Sequence, residues 1–167
     1  MTKLYLVQHG EAVSKDVDPG RPLSPVGEED VKKISEFLQN SGASVDRILH
    51  SGKMRAHQTA EILAEKLLHE GEVEAITGIN PNDPVTDFSP KIRKLQHDVM
   101  LVGHLPFMAK LASYLVTGQE EPVIVAFKPG SVVCLEQNEA GDWQVQWMIR
   151  PANEHVRLQA VGEQGFN

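Results

Sequence analysis

The sequence predicts an α/β chain, a three-layer αβα sandwich around a mostly parallel sheet, and three features carry that prediction. Short runs rich in Val and Leu, "KLYLV" and "DVMLVG", read as strands buried on both faces. Segments of helical periodicity with their own start signals lie between such runs, so strands alternate with helices. Near the end, "SVVCLEQ" and "WQVQWMIR" are joined by "NEAGD", a hairpin-like connection that requires at least one antiparallel strand.

Each element follows from local chemistry. After the "KLYLV" strand, a helix is expected from Val26 to Asn40, with Ser24 as N-cap, Pro25 at the first helical position and Glu28, Glu29 and Asp30 near its positive end. Gly42 suits its C-terminal cap. "DRILHS" is the next strand. Lys53 to Leu68 follows as a helix with Ala56, Ala60, Leu63 and Leu67 on one stripe. "EVEAIT" alternates cleanly and reads as a strand, and "TDFSPKIRKLQH" as a weaker helix interrupted by Pro90. After "DVMLVG", a helix from Pro106 to Val116 presents Met108, Leu111, Ala112 and Leu115 as its apolar face. Trp143 and Trp147 are expected on one face of the last strand as packing residues. Cys134, in an apolar strand pattern without a neighbouring cation, is expected in the core.

Composition narrows the function. The 167 residues, with no repeat, linker or low-complexity tract, are expected to form one domain, 1–167. A formal net charge of −7 argues against nucleic-acid binding, which needs an excess of Lys and Arg, yet leaves room for a small basic pocket. The single cysteine permits no intramolecular disulfide and fits a reducing compartment. The apolar run near the N-terminus is too short for a membrane span or signal core. A cytoplasmic protein without a membrane partner is the expectation.

The chemistry sits at strand ends. In open α/β sheets, ligands bind beyond the carboxyl ends of the strands. His9 and Gly10 follow the first strand, Arg55 falls in the first turn of the helix after "RILHS", and His104 follows "DVMLVG". A cation in a first helical turn opposes the helix dipole by about 0.3–1 kcal/mol, and an anion nearby resolves the conflict. Arg also offers a planar fork that matches phosphate oxygens. A neutral histidine aimed through one ring nitrogen can attack phosphorus with the other. His9 therefore reads as nucleophile, with Arg55 and His104 stabilising the phosphoryl oxygens. His50, His57, His69, His97 and His155 read as structural, with His57 placed to rim the pocket. His9 and His104 lack clustered Asp or Cys partners, so neither a metal nor a cofactor is expected.

Four motifs in order then resemble the histidine phosphatase superfamily, in particular its small phosphohistidine phosphatases of the SixA type. "VQHGEA" resembles the Arg-His-Gly motif whose histidine becomes phosphorylated, and "RPLSPVG" the approach to the first helix. "RAHQTAE" resembles the arginine helix motif and "LVGHLP" the second histidine. The resemblance implies an αβα fold and a two-step reaction through a phosphohistidine intermediate, with His9, Arg55 and His104 catalytic. Gln8, Gly10 and Arg21 would contact phosphate or substrate. Gln8 stands where the family has Arg, which replaces hydrogen bonds from a charged group, worth roughly 1.5–3 kcal/mol, by a neutral one. Gly52 stands where the family has Pro, which leaves the entry to the arginine helix less rigid. The candidate general acids are Asp83 in "GINPNDPV" and Glu11 beside the nucleophile. The short stretch from Gly78 to Asp98 leaves little room for a helical lid, so the expected substrate is a histidine-phosphorylated protein, a phosphotransfer domain or carrier. The alternatives are a small phosphomonoester, or a phosphate-binding protein without turnover.

Overall fold

A computed structural model describes residues 2–152. The elements run β1 (Lys3–Gln8), α1 (Pro25–Asn40), β2 (Arg47–His50), α2 (Met54–Leu67), β3 (Glu74–Ala75), α3 (Val85–Ile92), β4 (Val99–Gly103), α4 (Phe107–Thr117), β5 (Val132–Gln137) and β6 (Trp143–Ile149). The six strands form one sheet in the order β3-β2-β4-β1-β5-β6. Strands β1 to β4 are mutually parallel, and β5 runs antiparallel to both β1 and β6.

Alternation along the strands builds two cores. Leu4 and Leu6 face Phe88, Ile92, Phe107 and Leu111, so α3 and α4 cover one side. Tyr5 and Val7 face Val31, Leu38, Ala60 and Leu63, so α1 and α2 cover the other. This is the αβα sandwich, and each fully buried Leu contributes about 1.5–3 kcal/mol. Cys134 lies in the second core as a free thiol, and burial pushes its pKa up to about 11.

The structure departs from the sequence expectations in three places. "EVEAIT" keeps only two paired residues, Glu74 and Ala75, both exposed, because this edge strand has β2 alone as partner. Pro106 caps α4 and the helix starts at Phe107. By contrast, Gly42 ends α1 as expected: it follows the cap residue Ser41 with φ 87°, its N–H donates to the Gln39 carbonyl and the Ala43 N–H to that of Leu38. Trp143 and Trp147 lie on opposite faces of the sheet. A bulge opposite Cys134 and Leu135 inserts one residue into β6 and reverses its side-chain parity. Trp143 therefore joins the α3–α4 core, while Trp147 meets Tyr5 on the other side with ring centroids 5.9 Å apart.

Alignment of the parallel strands brings their ends to one edge. Gln8 lies opposite Gly103, and His50 opposite Val102. The loop after β1 then turns across α1. Ser24 Oγ accepts the Gly27 N–H at 3.0 Å as N-cap and donates to the Glu11 carboxylate at 2.8 Å. Gly27 lies directly beneath the Glu11 backbone. A Cβ at Gly27 would come within 2.9 Å of both the nitrogen and the carbonyl carbon of Glu11, with no flexible side chain to yield.

Gly27→Ala should thus destabilise the fold by about 1–3 kcal/mol in chemical denaturation. Val26→Ala, at an exposed neighbour, should stay within about 0.5 kcal/mol. Equal stabilities for the two variants would contradict the close approach.

Candidate active site

His9 leaves the sheet between two strands. Its N–H donates to the Gly103 carbonyl of β4 at 3.0 Å, and its own carbonyl accepts the Gly130 N–H at 3.1 Å. The imidazole Nδ1 lies 2.7 Å from the Gly10 carbonyl. A carbonyl only accepts, so Nδ1 carries the hydrogen and the lone pair of the neutral ring is on Nε2. Gly10 is held in turn: its N–H donates to Thr59 Oγ1 at 3.0 Å, and that hydroxyl donates to the Arg55 carbonyl at 2.8 Å. The Gly10 N–H is thus engaged by Thr59. Gly10 supplies the carbonyl that orients His9.

His104, only 2% exposed, brings its ring centroid 5.0 Å from that of His9. Its Nε2 lies 2.6 Å from Ser51 Oγ, and its Nδ1 is buried without a partner among the described residues. Arg55 Nε and Gln8 Oε1 are likewise buried and unpartnered there. Arg21 is tied to the β1–α1 loop by Nε donating to the Val13 carbonyl at 3.1 Å, and it holds a left-handed backbone with φ 49°. Non-glycine residues in that region carry strain of about 1–3 kcal/mol.

Electrostatics follow from this crowding of cations. His9 is lowered to about 4, first by burial, and then by Arg55 and Arg21 against the favourable Gly10 carbonyl. His104 falls to about 3 through burial, His9, Arg55, Lys53 and Arg21. Burial and Arg21 also push Arg55 down. Both imidazoles are neutral at pH 7, and no carboxylate is among the charges acting on His9. An oxyanion placed here would meet two guanidinium groups and would favour protonation of both rings.

The structure brings together His9, His104, Arg55 and Arg21, with Gln8 preceding His9 at the end of β1, and neither acid is among the charges acting on the two histidines. Asp83 accepts the Asn80 N–H at 2.8 Å in its own turn, and Glu11 accepts from Ser24. His57 stays outside the pocket, pairing with Glu61 at 3.0 Å and stacking on His50. His155 lies outside the described residues. Ser51 and Thr59 are site residues that the sequence reading missed. Ser51 stands at a strand end, so the rule that found His9 and His104 could have found it. Thr59 sits one helical turn after Arg55, inside the "RAHQTAE" motif, so the resemblance that supported Arg55 could have found it. Among the described residues no group of His, Cys, Asp and Glu has the arrangement of a metal site. A cleft of about 630 Å³ lined by Tyr5, Phe37 and Trp147 lies near Lys3, away from this chemistry.

The family model for the histidine phosphatase superfamily (branch 1) matches residues 4–78. Phosphohistidine phosphatase SixA of Escherichia coli (strain K12) is 24% identical over 156 residues, covering 90% of this chain and 95% of that protein. An uncharacterized protein of Picosynechococcus sp. is 32% identical over 124 residues, 70% of this chain and 74% of that one. The solved structure of protein histidine phosphatase SixA complexed with tungstate superposes with a TM-score of 0.78 at 23% identity, over 89% of this chain and 97% of that chain. Phosphoserine phosphatase from Entamoeba histolytica, solved with 3-phosphoglyceric acid, superposes at 0.65 with 17% identity, over 93% of this chain and 100% of that chain. The matched family model spans the strand that delivers His9 and the helix that carries Arg55, and the chain belongs to the histidine phosphatase superfamily.

Proposed function

We propose that the protein is a phosphohistidine phosphatase acting on a histidine-phosphorylated phosphotransfer domain or carrier, through a phosphorylated His9. The observation that carries this reading is the His9 Nδ1–Gly10 carbonyl bond, which leaves Nε2 as a bare lone pair beside His104. With a pKa near 4 the ring is neutral in physiological conditions and ready to attack.

In the first step His9 Nε2 bonds to phosphorus as the substrate's phosphorus–nitrogen bond breaks, and the departing imidazole takes a proton from solvent. In the second step water attacks phospho-His9, the new phosphorus–nitrogen bond breaks and phosphate leaves. Arg55, Arg21 and His104 hold the equatorial oxygens, where phosphoryl transfer gains most of its stabilisation. The Gln8 carboxamide adds a neutral contact where a guanidinium would add a charged one. The placement of Asp83 and Glu11 in local turns suits a leaving group that needs little acid assistance, as a phosphoramidate does.

A protein substrate is favoured by the rim. Met54 and Leu105, the neighbours of Arg55 and His104, are 50% and 36% exposed and offer an apolar surface to a folded partner. Helix α3 fills the β3–β4 crossover and buries Val85, Phe88 and Ile92 in the core instead of forming a lid. No described helix is long and apolar enough to cross a membrane, and a reduced, buried Cys134 suits the cytoplasm. The likeness to a phosphoserine phosphatase supports a second reading, hydrolysis of a small phosphomonoester. Gln8 supports a third, phosphate recognition without turnover.

The direct test compares a histidine-phosphorylated carrier with p-nitrophenyl phosphate. The carrier should be hydrolysed with the higher kcat/KM, and His9→Ala should remove at least about 10³-fold of the rate. Faster turnover of the ester would favour the second reading, and no turnover of either substrate the third.

A second expectation concerns protons. The free-state values near 4 and 3 lie below the ordinary histidine value, so both rings are neutral at pH 6.5. A bound dianion raises them, so binding takes up protons and affinity falls as pH rises. Sulfate, which stays a dianion, should bind with net proton uptake when titrated calorimetrically in buffers of different ionisation enthalpy. No uptake, with an affinity unchanged between pH 6 and 8, would mean that the imidazoles do not share the anion's charge.

A further inference from the structure

The crossover from β2 to α2 carries much of the site within a few residues. Ser51 meets His104, Lys53 acts on His104 electrostatically, and Arg55 opens the helix. The sequence reading took Gly52, in place of Pro, as a loss of rigidity there. The structure shows a different arrangement. Gly52 has φ 89°, a backbone region closed to proline, and its N–H donates to His50 Nδ1 at 3.0 Å, a bond proline could not make.

His50 is fastened on every side. It is the last residue of β2, 4% exposed, and its carbonyl accepts the Ile76 N–H at 2.8 Å. Its ring stacks on that of His57 with centroids 4.7 Å apart and planes 9° from parallel. His57 belongs to α2, two residues beyond Arg55, and is held by Glu61 at 3.0 Å. One imidazole thus braces the crossover from within, through its edge to Gly52 and through its face to the helix that bears Arg55. Ser51 Oγ also accepts the Lys53 N–H at 3.3 Å, closing the turn that presents it to His104.

We propose that His50 is a positioning residue of this site: its Nδ1 lone pair, accepting the Gly52 N–H, fixes the crossover that sets Ser51 against His104 and Arg55 at the anion position. The inference rests on the phosphatase reading for the purpose of that crossover, but its geometry does not depend on that reading. Because the Gly52 N–H donates, Nδ1 must be bare, and the neutral ring carries its hydrogen on Nε2. Burial and the neighbouring His57 both lower the pKa of His50, which favours that neutral form.

Two substitutions separate the lone pair from the ring. His50→Phe keeps an aromatic face for His57 but has no acceptor. His50→Asn loses the ring but keeps an oxygen at the branch point where Nδ1 sits. Packing alone would rank Asn as the more damaging change, because it leaves the larger cavity. The acceptor role ranks them the other way. Amide exchange of Gly52, followed by NMR in the full-length protein, should be about fivefold or more faster in His50→Phe, and within about twofold of wild type in His50→Asn. Hydrolysis of the phosphorylated carrier should follow the same order, with kcat/KM about fivefold or more lower in His50→Phe and recovered in His50→Asn. Unchanged Gly52 exchange in His50→Phe, or impairment in His50→Asn equal to that in His50→Phe, would overturn the proposal. The exchange measurement needs no turnover, so it decides the role of His50 even if wild type hydrolyses nothing and the phosphatase reading fails.

Discussion

The hydrogen bond from His9 Nδ1 to the Gly10 carbonyl is the constraint on which the rest of the structure converges. It is a contact between neighbours in the chain, so its geometry depends on the loop that bends just there. That loop is held by β4 through Gly103, by α2 through Thr59 and by α1 through the close passage of Glu11 over Gly27. Side-chain size enforces the same shape, since a Cβ at Gly10 would come within 2.8 Å of Val31. Three elements distant in sequence thus cooperate to leave one nitrogen with a free lone pair, and the aim of that nitrogen is an outcome of tertiary packing.

Around it the protein concentrates positive charge against its own balance. A chain of net charge −7 places Arg21 and Arg55 where their fields reach both histidines, and Lys53 where its field reaches His104. Arg55 Nε, Gln8 Oε1 and His104 Nδ1 are buried without partners among the described residues. Unsatisfied buried polar atoms are costly, at about 1–3 kcal/mol each. The strained backbone at Arg21 adds to that cost. A bound oxyanion would accept from Arg55 and from a protonated His104 and would raise the low histidine pKa values, which ties the unpartnered nitrogens and the lowered values to a single physical cause.

Much of this was legible in the sequence. Apolar runs located β1, β2 and β4 well, because parallel strands covered on both faces leave a continuous hydrophobic signature, and the hairpin-like connection located β5 and β6. The strand-end rule located His9 and His104, and the helix start located Arg55, because each signal is local. Other features arose only in three dimensions. The β6 bulge reversed the face of Trp147 relative to Trp143, and no composition cue marks one inserted residue. Edge strand β3 lost most of its expected length for want of a second partner. The role of Gly10, and the contacts of Ser51 with His104 and of Thr59 with Gly10, became visible only once β2, β4 and α2 were side by side. Gly52 looked like a weakened turn because its hydrogen-bond partner could not be seen from residue type.

The central claim is that His9 Nε2 receives the phosphoryl group. The most direct measurement is to mix the protein with phosphoramidate, quench under alkaline conditions that preserve phosphohistidine, and locate the modification by peptide mass spectrometry. The account predicts a single phosphoryl group on His9, decaying as phosphate appears. Phosphate release without any adduct on His9, or an adduct that resides on His104 or another residue, would contradict it.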